Sequence, residues 1–302
     1  MQETNDYDVI IIGGSYAGLA AGMALGRALK KVLIIDSQKP CNRQTPHSHN
    51  FLTQDGQTPG KISAIAKEQV QQYKTISFFE GIADKGFQTS NGFTISTTSG
   101  EEFKGSKLIF ATGIRDILPS IEGLAECWGI SAVHCPYCHG YEIREQKTGI
   151  LANGDVAFEL VKLISNWTKD LTLFTNGPST LKAEQQAKLE QHHIAIVEKE
   201  IVRLAHQHGQ LQHIVFKDNA ATTHLNAMYV KAPFEQHCKI PEALGCALTE
   251  DGFIKTELFE TTIPNVYACG DNASGMRTVA HAVYSGTATG MFISKKLIAD
   301  KF

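Results

Sequence analysis

Two cysteines separated by two residues, Cys135-Pro136-Tyr137-Cys138, with His139 directly behind them, are the residues of this chain best suited to chemistry. Thiols at that spacing open and close a disulfide without global rearrangement, so redox exchange is the first reading. A zinc half-site is a rival, but it needs a second cysteine or histidine pair at ligand spacing. The remaining cysteines, Cys41, Cys127, Cys238, Cys246 and Cys269, are scattered, and no metal site is expected. The plainest rival is a pair of buried neighbours with no chemistry.

The whole chain narrows the field. At 302 residues it has room for about two domains. A formal net charge of -3 argues against a surface for nucleic acid. The residues Met1 to Asp6 are polar and run straight into an apolar strand, with no export signal, and no apolar run approaches the ~18 residues of a membrane span. The expectation is a cytoplasmic protein without membrane contact, where thiols stay reduced and a paired motif is catalytic. Cys-x-x-Cys-His also attaches c-type haem, a chemistry that goes with export. Glutaredoxin-like domains carry Cys-Pro-Tyr-Cys near their N-terminus, whereas here it lies mid-chain.

The front of the chain must position a nucleotide. Asp8 to Ile12 reads as a buried parallel strand, Gly13-Gly14-Ser15-Tyr16-Ala17-Gly18 leads into an Ala/Leu-rich helix from Leu19 to about Leu29, and a second strand, Lys31 to Ile35, ends in Asp36. This is the strand, glycine turn, helix, strand and acid of a dinucleotide-binding unit. Gly13 permits the tight turn, Gly18 lets helix and strand pack closely, and the helix N-terminus offers N–H groups to a pyrophosphate. Asp36 would accept hydrogen bonds from a ribose. Ser15 stands where the fingerprint has its second glycine; it is small, and its hydroxyl can donate to a phosphate oxygen.

Two further segments have the same character. Lys107 to Gly113 is a strand ending in Ala111-Thr112-Gly113, and Asn265 to Asp271 is another ending in Gly270-Asp271, followed by a helix from about Thr278 to Ile298 that contains Gly286 and Gly290. With the Cys135/Cys138 pair between them, their order resembles that of the low-molecular-weight thioredoxin reductase family over nearly the whole chain. The resemblance implies an α/β fold of two doubly wound dinucleotide-binding domains: an FAD domain from residues 1–113 and 231–302, interrupted by a smaller NAD(P)-binding-like domain from 114–230 that carries the cysteines. It also implies FAD as cofactor and a homodimer. Asp271 would bind the ribityl chain, the following helix would point its positive end at the flavin pyrimidine, and Asn50 would lie near the flavin. His281, at the start of that helix, would stand beside the flavin or substrate. The long loop Lys39 to Thr58 would cover part of the FAD.

The middle of the chain repeats the theme in weakened form. Lys147 to Leu151 is a strand, Ala152-Asn153-Gly154-Asp155-Val156-Ala157 occupies the phosphate turn, a helix runs to about Trp167, and Asp170 to Phe174 is a strand. In thioredoxin reductases this domain holds NADPH, with a glycine-rich turn and arginines after the second strand. Here the first glycine is Ala152, and Thr175-Asn176-Gly177-Pro178 replaces the Arg-rich segment. Each lost charge-assisted contact costs about 1.5–3 kcal/mol, so inefficient use of NADPH is expected. The alternative is that Lys169 or Lys182 substitutes.

The resemblance makes Cys138 the flavin-side thiol and Cys135 the interchange thiol. The next residue in the family is an aspartate serving as acid and base; here it is His139. An imidazole can take and give a proton near neutrality, and as a cation it would lower a neighbouring thiol pKa. The expected function is FAD-dependent thiol-disulfide exchange with a thioredoxin-like protein or a small dithiol or disulfide, the electron donor being NADPH or a protein such as ferredoxin. A dithiol oxidase delivering electrons to oxygen and a non-enzymatic flavin sensor are the alternatives. His47 and His49 are read as part of an ordinary loop, and His192 and His193 as solvated.

Overall fold

A computed structural model describes residues 6–217 and 222–302. The reading of residues 1–5, and the four positions 218–221 of the inner domain, lie outside the described residues. The chain divides into two compact units: one comprises the residues up to Arg43, Asn50–Arg115 and Phe234–Phe302, the other Gln44–His49 and Asp116–Pro233. The exchange points thus fall at 115/116 and 233/234. The short segment Gln44–His49, inside the loop expected over the FAD, belongs with the second unit.

In the first unit five parallel strands run in the order Val266–Ala268, Glu102–Phe110, Asp6–Ile12, Val32–Asp36, Ile76–Glu80. Their apolar runs explain the placement. Val9 and Ile11 face one core with Leu25 and Ile293, while Ile10 and Ile12 face another with Phe93 and Ile95. Alternate residues of a strand point to opposite faces, so a strand apolar at every position is covered on both. Ile12 pairs with Ile35 and with Phe110, and Phe110 pairs with Ala268. That register brings the ends of four strands, and the turns that follow them, to one edge of the sheet.

The helix Tyr16–Arg27 begins three residues earlier than the apolar pattern suggests, because the glycine turn itself winds into it. It packs on the C-terminal helix Val279–Ala299 at backbone distance. A Cβ on Gly290 would lie 2.7 Å from the Ala21 carbonyl oxygen, one on Gly286 would collide with the Ala17 carbonyl, and one on Gly18 would collide with that of Gly13.

The second unit holds a five-stranded parallel sheet, ordered Ala195–Val197, Leu171–Phe174, Thr148–Leu151, Ala227–Val230, Ala132–Val133, with a three-stranded antiparallel sheet. Leu151 pairs with Phe174 and Val230, and Val133 with Tyr229. The turn after Leu151 and the cysteine motif after Val133 therefore emerge at the same edge. The observed architecture is α/β with two doubly wound units, as the sequence implied.

Gly286→Val should destabilise the first unit by about 2 kcal/mol or more, since the added groups meet backbone that cannot rotate away. The check is a lowered urea midpoint for unfolding of the first unit; an unchanged midpoint would show that the two helices can separate at little cost.

Candidate functional site

The first unit's edge collects the front-end residues named above. At the glycine turn, Gly13 takes φ +102°, and the Gly14 amide donates to Asp36 Oδ1 at 3.0 Å, fastening the turn to the end of the second strand. Ser15 is the N-cap residue of the helix and makes no side-chain cap, so the N–H groups of the first turn are not closed off by it. Thr112 Oγ1 accepts from Asn272 Nδ2 at 3.2 Å, and the same nitrogen donates to the Phe110 carbonyl at 2.8 Å. Gly113 takes φ +64° with open space on its Cβ side. The Gly270 amide donates to Ser285 Oγ at 3.1 Å, which ties the last turn to the C-terminal helix. Asp271 and Arg277 form an ion pair at 3.9 Å.

His281 sits in the first turn of the C-terminal helix, its amide bonded to the Thr278 cap at 3.1 Å. Burial lowers the pKa of its imidazole, favouring the neutral form. Asn50 is exposed, with φ +60°, and its amide donates to Asp55 Oδ1 at 2.7 Å. Asn272 and Arg277 are missed by the sequence reading, although Asn272 directly follows the Gly270-Asp271 signal. Asn272 is fully buried and its Oδ1 has no partner among the described residues. An orphaned acceptor beside an uncapped helix N-terminus and a glycine turn fits a donor-bearing, anionic ligand such as FAD.

In the second unit Cys135 and Cys138 form a disulfide, with Cα atoms 5.3 Å apart. Cys135 is the N-cap residue of a single helical turn, Pro136–His139, and Pro136 suits the first helical position because it has no N–H to satisfy. The Gly140 amide closes the turn on the Pro136 carbonyl at 2.7 Å. Tyr137 stands edge-on to Trp167 with centroids 5.5 Å apart. Among the described residues no group of three or more His, Cys, Asp or Glu side chains could hold a metal ion.

His139 departs from the sequence expectation in one respect. Burial, helped by the charge of nearby His49, holds its imidazole down at about 4. At neutral pH it is an uncharged base, and the expected cationic effect on the thiols does not arise from it. His49, read from the sequence as ordinary loop, has Nδ1 3.6 Å from Glu142 Oε1. Glu142 lies one helical turn beyond His139, and its amide donates to the His139 carbonyl at 3.2 Å. The His139/Glu142 spacing is visible in the sequence; the arrival of His49 from 90 residues earlier is not.

The second phosphate turn is closed from within. Asn153, the N-cap of the helix Gly154–Ile164, accepts through Oδ1 from the Gly154 amide at 2.8 Å, the Thr180 amide at 2.9 Å and the Thr180 hydroxyl at 3.1 Å. Its Nδ2 donates to the Pro178 carbonyl at 2.9 Å. Asp155 follows in the first turn and pairs with Lys182 at 3.0 Å, while Lys169 Nζ donates to the Ser165 carbonyl at 2.6 Å. Both lysines that might have replaced the arginines are engaged inside the unit.

Residues 7–286 match the family described as pyridine nucleotide-disulphide oxidoreductase. A thioredoxin reductase of Claviceps purpurea, tcpT, is 30% identical over 312 residues, covering 99% of this chain and 97% of the relative. The crystal structure of an oxidoreductase from Agrobacterium tumefaciens is 36% identical with TM-score 0.90, covering 97% of this chain and 99% of that one. The thioredoxin reductase TrxB from Bacillus anthracis superposes with TM-score 0.93 at 28% identity, covering 98% and 100%. The chain therefore belongs to the pyridine nucleotide-disulphide oxidoreductases and, with its thioredoxin reductase-like relatives, is an FAD-dependent disulfide oxidoreductase.

The depressed pKa of His139 has a sign that can be checked. Below the ordinary histidine value of 6.5 the unfolded chain binds a proton that the folded chain refuses until about pH 4. Stability should therefore be full above about pH 6.5 and fall towards pH 4, by roughly 3 kcal/mol at most. Both tryptophans, Trp128 and Trp167, lie in the second unit and report its unfolding by fluorescence. His139→Asn should flatten the decline of the urea midpoint with acidity; equal slopes in variant and wild type would contradict a neutral imidazole at this position.

Proposed function

We propose that this protein moves electrons between a dithiol and FAD through Cys135–Cys138 without drawing on NADPH, the net flow running from the dithiol to the flavin and on to oxygen. The observation that carries this reading is the Asn153 side chain. It occupies the helix N-terminus at which a second dinucleotide would place its pyrophosphate, with the acid of Asp155 next to it. Opening that turn breaks four hydrogen bonds, each worth about 1 kcal/mol, and no arginine stands ready to repay the loss.

The exchange is derived as follows. A substrate thiolate attacks the Cys135 sulfur, the Cys135–Cys138 bond breaks, and Cys138 leaves as a thiolate. The second substrate thiol gives its proton to His139 and attacks the substrate sulfur of the mixed disulfide. Cys135 then leaves as a thiolate, and the substrate departs as a disulfide. Two electrons now reside on the cysteine pair, and the first thiol's proton has gone to solvent. A neutral His139 is in the correct state to accept the second proton. FAD supplies the two-electron acceptor that returns the pair to the disulfide. Gly13, Gly14, Ser15, Ala17 and Gly18 would hold its pyrophosphate, Asp36 its ribose, and Asn50, Thr112, Gly113, Gly270, Asp271 and His281 the remainder.

The relatives' names favour a second reading, in which a thioredoxin-like protein is the partner and electrons flow towards it; in that reading we take the donor to be a protein such as ferredoxin. Anaerobic mixing of the oxidised holoprotein with dithiothreitol, NADPH or NADH separates the two. Dithiothreitol should bleach the flavin, with peroxide formed on admitting air, and NADPH should be slower by about 100-fold or more. Rapid bleaching by NADPH would overturn the reading of the closed turn. Cys138→Ser should abolish bleaching by dithiothreitol with FAD still bound; unchanged bleaching would remove the cysteines from the pathway.

A further inference from the structure

Tyr137 stands inside the loop that the disulfide closes, next to Cys138 and two residues from Cys135, the two cysteine Cα atoms being 5.3 Å apart. A group bonded to the Cys135 sulfur therefore lies within a side chain's length of its ring. The ring is 62% exposed, yet it is held in place. The Trp167 indole meets it with centroids 5.5 Å apart and planes at 89°. In a perpendicular pair the tryptophan covers at most one face of the tyrosine ring, so the other stays open. Trp167 is itself fixed by backbone and by packing. Its amide donates to the Ile164 carbonyl at 2.9 Å, and its carbonyl accepts from the Glu145 amide at 2.9 Å. Its indole lies against the α-carbon of Gly140, where an added Cβ would be 2.9 Å from both Cε2 and Nε1. Glycine at that place is what lets the indole reach the redox turn. The result is a rigid aromatic face beside the disulfide, already ordered in the folded chain before anything binds. Around it the surface turns polar, with Glu142, Arg144, Glu145, Asn166 and Lys169 all exposed. Two aromatic side chains of apolar surface fall far below the roughly 800 Å² per partner of a stable protein interface, and they suit a small flat ligand.

We propose that Tyr137 is the specificity-determining residue for a dithiol carried on a flat apolar ring, and that Trp167 is its positioning residue. The substrate's ring stacks on the open face of Tyr137 while one of its sulfurs attacks Cys135, and the exchange then follows the steps given above. This rests on the reading that dithiol electrons enter through Cys135–Cys138. Trp167 acts through the tyrosine, fixing the tilt of its ring.

The test compares ortho-xylylenedithiol, which has a ring, with dithiothreitol, which has none, as donors in anaerobic flavin bleaching of the holoprotein. The quantity read is the ratio of their second-order rate constants, because an effect of a substitution on the disulfide or the flavin acts on both donors and cancels. Tyr137→Ala should lower that ratio about tenfold, the equivalent of about 1.4 kcal/mol, and Tyr137→Phe should keep it. Trp167→Leu should lower it nearly as far, and the double variant no further than Tyr137→Ala, as expected of residues acting through one contact. Tyr141→Ala removes a similarly exposed ring that carries the Arg144 guanidinium 4.0 Å from its centroid, and it should leave the ratio unchanged. A ratio lowered as much in Tyr141→Ala, or unmoved in Tyr137→Ala, would overturn the proposal. If the ratio is unmoved and oxidised thioredoxin reoxidises reduced Tyr137→Ala more slowly than wild type, the surface belongs to a protein partner. Should neither dithiol bleach the wild type, the functional reading fails. The recognition proposal is then decided by Trp167 fluorescence of the oxidised protein in a Trp128→Phe background. There the diol counterpart of ortho-xylylenedithiol, which cannot exchange, must change the emission saturably, and Tyr137→Ala must lose that response; no response, or one that survives Tyr137→Ala, overturns it.

Discussion

Parallel strand register is the constraint on which the rest of this molecule depends. Ile12, Ile35, Phe110 and Ala268 are locked side by side by the hydrogen-bonded ladders of the first sheet, and each is followed within three residues by a turn that carries polar function. Because parallel strands all end at the same edge, four turns from distant parts of the chain meet there without any of them having to reach for another. The same rule operates in the second sheet, where the cysteine motif and the closed phosphate turn emerge together. Apolar residues on both faces of each strand hold that register, since a slip by one residue would exchange the two cores.

The two glycine-bearing turns differ in how their helix N-termini are met. Both follow a buried strand and open a helix, yet Ser15 makes no side-chain cap and Asn153 makes four hydrogen bonds. Asparagine is among the best N-cap residues, so the chemistry that makes it good for a helix also makes it a competitor for a phosphate. The second unit keeps the architecture of a dinucleotide domain, and the first amide of its turn helix donates to its own Asn153 side chain. The same unit carries Cys135 and Cys138.

The residue behind the cysteines is a histidine. An aspartate in that place would be charged at neutrality unless strongly perturbed, whereas the half-buried His139, its imidazole held down at about 4, is neutral and ready to accept. His139 owes that state to its surroundings. Burial is the larger cause and His49 the smaller, and both come from the packing of the second unit.

Much of this was legible in the residues. The order of strands, glycine turns and acids from Asp8 to Asp36, the turns at Thr112-Gly113 and Gly270-Asp271, and the redox pair all follow local rules of period and spacing, which a sequence states directly. The departures of the second turn, Ala152 in place of the first glycine and Thr175-Asn176-Gly177-Pro178 after the second strand, were also legible, because residue identity needs no coordinates. The sequence could not say that the Asn153 side chain bonds Gly154, Pro178 and Thr180, that Lys182 is already paired with Asp155, or that Gln44–His49 leaves its neighbours to join the other unit. Nor could it give the burial that lowers the pKa of His139. Those depend on contacts between residues up to 93 positions apart, and only the folded chain, with its particular buried volumes and hydrogen-bond choices, decides which of the possible partners each group meets.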